Sequence, residues 1–319
     1  MIEMRFSFVR GLHNLRPHHR GCVATIGSFD GVHRGHQVII DQVKERSSVL
    51  GLPSVVMVFE PQPSEFLSGE QAPARLMLLR DKMVALRAAG IDRVLCLQFN
   101  PRLRSMTAEA FIEQVLVQGL AVKHLVIGDD FRFGSDRKGD FQLLQAASPR
   151  YGFVLERTHT VEHGGERISS TRIRHLLERE QFVRAEELLG KPYAIHGTVV
   201  HGQHLGRELG FPTANVRLNR YRSPLSGVFA VQVTIAGKQK TGVANIGVRP
   251  TLAGLVKPIL EVHVLDFNES LYGQRLSVQP VKKLREEKKF SSLDELKENI
   301  ARDVNCARDF FNNQAANRE

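Results

Sequence analysis

Residues 22–36 read CVATIGSFDGVHRGH, and the reading of the fold starts from this stretch. Residues 22–26 form a short apolar strand that breaks at Gly27. A helical run follows, with Val38, Ile39, Gln42 and Val43 on a 3.6-residue spacing. Between strand and helix stand Gly27, Phe29, Asp30, Gly31 and Gly35, with His33 and His36 three apart at the helix mouth. Glycines there let the backbone approach a ligand closely and take positive φ. A helix N-terminus offers unpaired N–H groups and positive potential to a phosphate. Two imidazoles in that place can donate to phosphate oxygens as charge grows on them during a displacement. An isolated HxGH reads better as a glycine-rich turn with surface histidines. The complete GxFDGxHxGH directly after a strand reverses that balance. Zinc is not indicated, because His13, His18 and His19 upstream find no carboxylate or cysteine spacing to complete a set.

Outward from this stretch the rhythm repeats: a strand over 54–59, a helix around 76–89, a strand over 93–97, a helix around 107–118 and a strand over 123–128. Strands alternating with helices predict a parallel sheet covered on both faces. Such sheets bind ligands beyond the carboxyl ends of their strands, where the motif at 27–36 falls. Residues 128–134, GDDFRFG, end another strand. Phe131 or Phe133 there can stack on a planar ring or fill the core. Residues 168–174, ISSTRIR, open a helix. Ser169, Ser170 or Thr171 can cap it. Alternatively the hydroxyls, the helix N–H groups and Arg174 can grip a phosphate.

Beyond about residue 187 short alternating strands take over, at 194–200, 228–235, 241–246, 259–265 and 276–281. They predict an antiparallel sheet or barrel. Leu293, Leu296, Ile300, Val304 and Ala307 predict a closing helix, with Ser292 and Glu295 as its capping box. The charged helical segment 172–189 precedes the change, so the expected domains are 1–187 and 188–319. Within the second, residues 197–215 read GTVVHGQHLGRELGFPTAN. Gly202, Gly206 and Gly210 suggest a loop folded around a ligand. Thr213 and Asn215, two apart, point their oxygens to one side of an extended segment. Neutral oxygens of this kind suit Mg²⁺ whose other ligands are phosphate and water. The plainer alternative is a glycine-rich barrel turn, and the P-loop spacing is absent. Glu261 lies on an alternating strand, where an acid is ordinarily solvated.

The chain has 319 residues, 42% apolar and 24% charged, enough for two cores. No apolar run is long enough to span a bilayer, and the start lacks the layout of a signal peptide. Cys22, Cys96 and Cys306 show no paired spacing and fit idle thiols in a reducing cytoplasm. The net charge of +10 is spread over the chain, with no basic run or RNP-like aromatic motif. Phosphorylated small molecules fit it at least as well as nucleic acid.

In order, GSFDGVHRGH, FEPQP at 59–63, GDDFRFG and ISSTRIR resemble the FMN adenylyltransferase module of prokaryotic bifunctional flavin-cofactor synthases. Many members carry histidine where this chain has Gln62. PTAN at 212–215, GVFAV at 227–231, GVANIGVRPT at 242–251, LEVHVLDF at 260–267, LYGQ at 271–274 and LREEKKFSSLDEL at 284–296 resemble the riboflavin kinase module. The resemblance implies a Rossmann-like nucleotidyltransferase domain with a parallel sheet, then a Greek-key β-barrel with a terminal helix. It implies phosphorylation of riboflavin to FMN and adenylyl transfer from ATP to FMN, giving FAD and pyrophosphate, with Mg²⁺ accompanying ATP. By the same resemblance His33, His36, Arg174 and Glu261 are catalytic, with Glu261 the base. ATP and its phosphates fall to Gly27, Phe29, Asp30, Gly31, Gly35, Ser170, Thr171, Gly202, Arg207, Thr213 and Asn215. The metal falls to Thr213 and Asn215, and the flavin to Asp129, Phe131 and Arg285. The implied partners are riboflavin, FMN and ATP, with no nucleic acid and no membrane. On the residues alone two other readings stand beside it: an HxGH nucleotidyltransferase of another pathway, and an RNA-binding protein.

Overall fold

The computed structural model describes residues 6–202, 206, 209–250 and 256–316. The chain forms two compact units, Met1–Pro73 with Leu79–Ser170, and Ala74–Leu78 with Thr171–Glu319. The first is built on six strands: β1 (Ser7–Arg10), β2 (Cys22–Ile26), β3 (Ser54–Glu60), β4 (Arg93–Gln98), β5 (Val122–Gly128) and β6 (Val154–Thr158). They lie in the order β1-β4-β3-β2-β5-β6, every neighbouring pair parallel. All five residues of β2 are buried, as a central strand covered on both faces requires. Helices α1 (Arg34–Leu50), α2 (Pro63–Ser68), α3 (Leu79–Ala88), α4 (Pro101–Arg104), α5 (Ala108–Phe111) and α6 (Phe141–Tyr151) belong to this unit, α5 running on into a π-helical stretch, Ile112–Gly119. From β2 the chain steps to β3 and β4 on one side and later to β5 on the other. The order therefore reverses at β2. Ligands of open α/β sheets bind at this switch point, and the GSFDGVHRGH segment leaves β2 there.

β1, β6 and α6 are additions to the sequence reading. The segment 172–189 is two helices rather than one. α7 (Ser170–Glu178) and α8 (Phe182–Leu189) are separated at Glu180, which takes φ 60°.

In the second unit β9 (Ile195–Val200), β10 (Ala214–Arg217), β11 (Gly227–Ile235), β12 (Lys238–Pro250), β13 (Val256–Val264) and β14 (Arg275–Arg285) close a barrel. A small hairpin, β7 (Glu162–His163) and β8 (Glu166–Arg167), precedes them in the chain. The barrel order is β10-β13-β12-β11-β14-β9, all antiparallel. Three hairpin-connected strands β11, β12 and β13 are followed by β14, which returns beside β11. That is the Greek-key arrangement. The terminal helix α9 (Leu293–Ala316) packs Val304 and Ala307 against Val228, Ala230 and Val243 on the barrel wall. Ser292 caps it by accepting from the Glu295 N–H at 3.1 Å. The Glu295 carboxylate reaches one residue further back than a capping box expects, to the Ser291 N–H at 2.9 Å.

Candidate active sites

At the end of β2 the chain turns through Phe29 (φ 46°), Gly31 (φ 89°) and Val32 (φ 46°). A β-branched residue at positive φ is a true outlier, costing on the order of 1–3 kcal/mol, and such strain concentrates at ligand sites. Burial holds the turn in place: Phe29, Asp30, Val32 and His33 are all buried. His33 is the N-cap of α1, and its Nδ1 accepts from the His36 N–H at 3.3 Å. The two imidazoles stack with centroids 3.7 Å apart, and Phe29 lies 4.8 Å from His36 on its other neighbouring contact. Gly35 keeps this pair close, since a Cβ there would stand 3.2 Å from the His33 ring.

His36 Nδ1 is buried without a hydrogen-bond partner. Burial, then the nearby His33, Lys82 and Arg167, holds the ring well below the usual imidazole pKa. Lys82 of α3 is itself fully buried, and its ammonium donates to the Ser28 carbonyl. Ser170, the first residue of α7, donates to the Asp30 carbonyl at 3.0 Å and so ties ISSTRIR to the turn. Thr171 is exposed. Arg174 spends its Nε on the Ala74 carbonyl at 2.6 Å. In GDDFRFG, Phe133 is core and Phe131 stacks on it at 5.4 Å. Asp129 accepts from Thr160 at 3.2 Å and faces Arg157 at 3.5 Å, while Asp130 pairs with Arg167 at 2.9 Å. Sequence reasoning passed over Lys82 and left Gln62 without a role. Lys82 sits four residues before the buried Leu86 on the apolar phase of α3, a position where a charge is itself a signal. Gln62, at the N-cap of α2, buries an Nε2 with no partner.

The second site lies on the barrel wall. Asn215 of β10 is the register partner of Glu261 of β13, and Glu261 is the partner of Asn245 of β12. Register partners project to the same face, so the three side chains stand in one row. Gly202 abuts the Asn215 side chain so closely that any Cβ would overlap it. Gly206 similarly meets the Phe211 carbonyl and Thr213 Oγ1, at 2.5 and 2.9 Å from an added Cβ. Gly202 and Gly206 are thus fitted around Thr213 and Asn215, whereas among the described residues nothing crowds Gly210. Arg207 lies outside the described residues. Thr213 also borders a cavity of about 390 Å³ lined by Val199, Val262, Val264, Leu271 and Tyr272. His201 stacks on Tyr272, with centroids 4.1 Å apart. Arg285 forks onto the buried Asp303 of α9 through Nε at 3.0 Å and Nη2 at 2.8 Å. It fastens the LREEKKF segment to α9 rather than standing in solvent. No cluster of three His, Cys, Asp or Glu able to hold a metal occurs among the described residues.

Residues 15–172 match the FAD synthetase family and residues 189–311 the riboflavin kinase family. The bifunctional riboflavin kinase/FMN adenylyltransferase of Pseudomonas fluorescens is 58% identical over 300 residues, 94% of this chain and 96% of that one. The protein of the same name from Escherichia coli K12 is 52% identical over 305 residues, 95% and 97% of the two chains. A crystal structure from Streptococcus pneumoniae, described as a macrolide-efflux protein, superposes with a TM-score of 0.76 at 29% identity. That match covers 94% of this chain and 98% of the other. With both family matches in sequence and near-complete relatives at this identity, the chain belongs to the bifunctional riboflavin kinase/FMN adenylyltransferase family.

Proposed function

We propose that the barrel unit transfers the γ-phosphoryl group of ATP to riboflavin and that the parallel-sheet unit transfers the adenylyl group of a second ATP to the resulting FMN. The observation that carries the reading is the register row Asn215–Glu261–Asn245, which sets an acid directly beside the PTAN segment. Both steps are displacements at phosphorus, where positioning and charge stabilisation do most of the work.

In the barrel, Glu261 accepts the proton of the riboflavin 5′-hydroxyl as that oxygen attacks the γ-phosphorus. Thr213 and Asn215 offer neutral oxygens beside glycines, a donor set that fits a hard divalent cation whose remaining ligands are phosphate and water. Mg²⁺ held there would neutralise charge on the ATP phosphates. Gly202 and Arg207 belong with the same phosphates, and the cavity bordered by Thr213 is of the size that small-molecule sites have. Arg285, locked by Asp303, sets the edge of the flavin site.

In the sheet unit a phosphate oxygen of FMN attacks the α-phosphorus and pyrophosphate leaves. FMN phosphate is anionic at neutral pH, so this step needs no strong base. Gly27, Phe29, Asp30, Gly31 and Gly35 shape the backbone around the ATP phosphates. His33, His36 and Ser170 supply donors to the charge that develops there, and the family resemblance assigns Thr171 and Arg174 of ISSTRIR the same role. Asp129 and Phe131, on the loop after β5, contact the flavin.

Three free cysteines, two of them buried, fit a reducing compartment, and we place the enzyme in the cytoplasm. Among the described residues no helix is long and apolar enough to cross a membrane. The charge spread favours small anionic substrates over nucleic acid. The test is incubation with riboflavin, Mg²⁺ and ATP, resolving products by chromatography. FMN followed by FAD is expected. ATP-independent, steeply salt-dependent RNA binding with no flavin product would replace this reading with the RNA-binding one.

A further inference from the structure

The row on the barrel wall is longer than the two residues the kinase chemistry uses. Asn215, Glu261, Asn245, Val228 and Arg285 are successive register partners on β10, β13, β12, β11 and β14. Their neighbours Ala214, Leu260, Val262, Ala244 and Ile246 are buried on the opposite face. The row therefore runs from the PTAN segment, past Glu261, to the Arg285–Asp303 pair at α9.

Asn245 stands in the middle of this row, and its side-chain carbonyl Oδ1 is buried with no hydrogen-bond partner. A buried acceptor left without a donor is destabilising, and a donor from outside the chain, such as a substrate hydroxyl, would relieve it. A cation at Asn215 cannot be that ligand. Neighbouring strands are about 4.8 Å apart, so Asn245 stands about 9–10 Å from Asn215. Metal–oxygen bonds are about 2.1 Å, too short for one Mg²⁺ to serve both. ATP phosphates carry only acceptors and cannot satisfy a carbonyl. The cavity bordered by Thr213, lined by Val199, Val262 and Val264 from the opposite face, has room for the nucleoside. What remains on the Asn245 side of Glu261 is the alcohol that Glu261 deprotonates.

We infer that Asn245 binds the polyhydroxy side chain of the flavin substrate, its Oδ1 accepting from a hydroxyl next to the one phosphorylated. This rests on the kinase reading above and goes beyond it by naming the residue that recognises the alcohol. The alcohol then lies next to Glu261, within reach of the base that takes its proton.

The test uses the full chain with Asn245→Ala and Asn245→Ser. KM values for riboflavin and ATP are measured together with turnover of riboflavin analogues lacking single side-chain hydroxyls. Thermal unfolding followed by circular dichroism reports whether the barrel unit of each variant is folded. Asn245→Ala should raise the riboflavin KM several-fold to about tenfold, the worth of one neutral hydrogen bond, and leave the ATP KM within about twofold. The wild type should discriminate against one deoxy analogue, Asn245→Ala should lose that discrimination, and Asn245→Ser should recover part of it. An unchanged riboflavin KM with discrimination intact overturns the inference, as does a loss confined to the ATP KM. If the alanine variant is unfolded, the serine variant is read by the same two criteria. Failure of the wild-type chain to phosphorylate riboflavin would instead sink the kinase reading, so the two failures are told apart.

Discussion

His36 lies stacked on His33 with ring centroids 3.7 Å apart, while its backbone N–H donates to His33 Nδ1 at 3.3 Å. The cap fixes the His33 tautomer: an Nδ1 that accepts leaves the ring proton on Nε2. His36 is held neutral by burial and by the positive groups around it. Its folded pKa is therefore below the unfolded value of 6.5, and between the two the unfolded chain binds the extra proton. Stability tied to this residue is present above pH 6.5 and declines as pH falls from there toward the folded value. In an NMR titration of the ligand-free chain, the His36 ring should titrate well below 6.5. A midpoint at or above 6.5 would show that burial does not govern it.

Replacing His36 by alanine should cut FAD formation from FMN by about 10²–10³-fold, the usual loss when one preorganised donor is removed from a developing charge. FMN formation from riboflavin should stay near wild type, because Glu261 and PTAN belong to the other unit. Equal loss of both activities in a folded protein would contradict the partition.

Glu156 gathers Arg46, Gln42 and His124 around one carboxylate, with contacts of 2.7, 2.6 and 2.7 Å. The Arg46 hydrogen bond, against opposing burial and with help from Gln42 and His124, brings its pKa down to about 2. A carboxylate with a depressed pKa stabilises the fold above its unfolded value near 4.5, and that contribution is lost as pH falls through about 2. Glu156→Gln should lower the melting temperature at pH 7 by several degrees. The gap between variant and wild type should close on acidification through this window. A gap that persists at pH 2 would assign the loss to packing rather than charge.

Much of this architecture is legible before folding. The strand–glycine–helix pattern at 22–43 and the strands that follow it encode a parallel sheet and its ligand edge, because both signals are local in the chain. β1 and β6 escape notice because SFVR and VLERT are too short and mixed to stand out, and acquire their pairing only from β4 and β5. The barrel row is illegible for a deeper reason. Asn215, Asn245 and Glu261 are far apart in sequence, and only the register of β10, β12 and β13 sets them side by side. Lys82 gives a partial signal, a charge on the apolar phase of its helix, but its partner, the Ser28 carbonyl, is distant in sequence and appears only in the fold.

The barrel unit should work alone. A fragment spanning residues 187–319 contains Thr213, Asn215 and Glu261 and should make FMN but no FAD. A fragment beginning at 171 keeps α8, whose Phe182 lies 6.2 Å edge-on to Phe229, and keeps Glu180 at 2.9 Å from Lys283. It should melt higher than the shorter one. Calorimetry and a riboflavin phosphorylation assay check both statements. A folded fragment that binds Mg-ATP yet never phosphorylates riboflavin would contradict them.

Whether two separate residue sets carry the two displacements at phosphorus is decided by Glu261→Gln in the full chain. Glutamine keeps the shape of glutamate but cannot take the hydroxyl proton. Products are resolved by chromatography from parallel reactions started with riboflavin or with FMN, each with ATP and Mg²⁺. The variant should convert FMN to FAD at close to the wild-type rate and form almost nothing from riboflavin. Wild-type FMN production, or an equal loss of both reactions in a folded chain, would contradict the account.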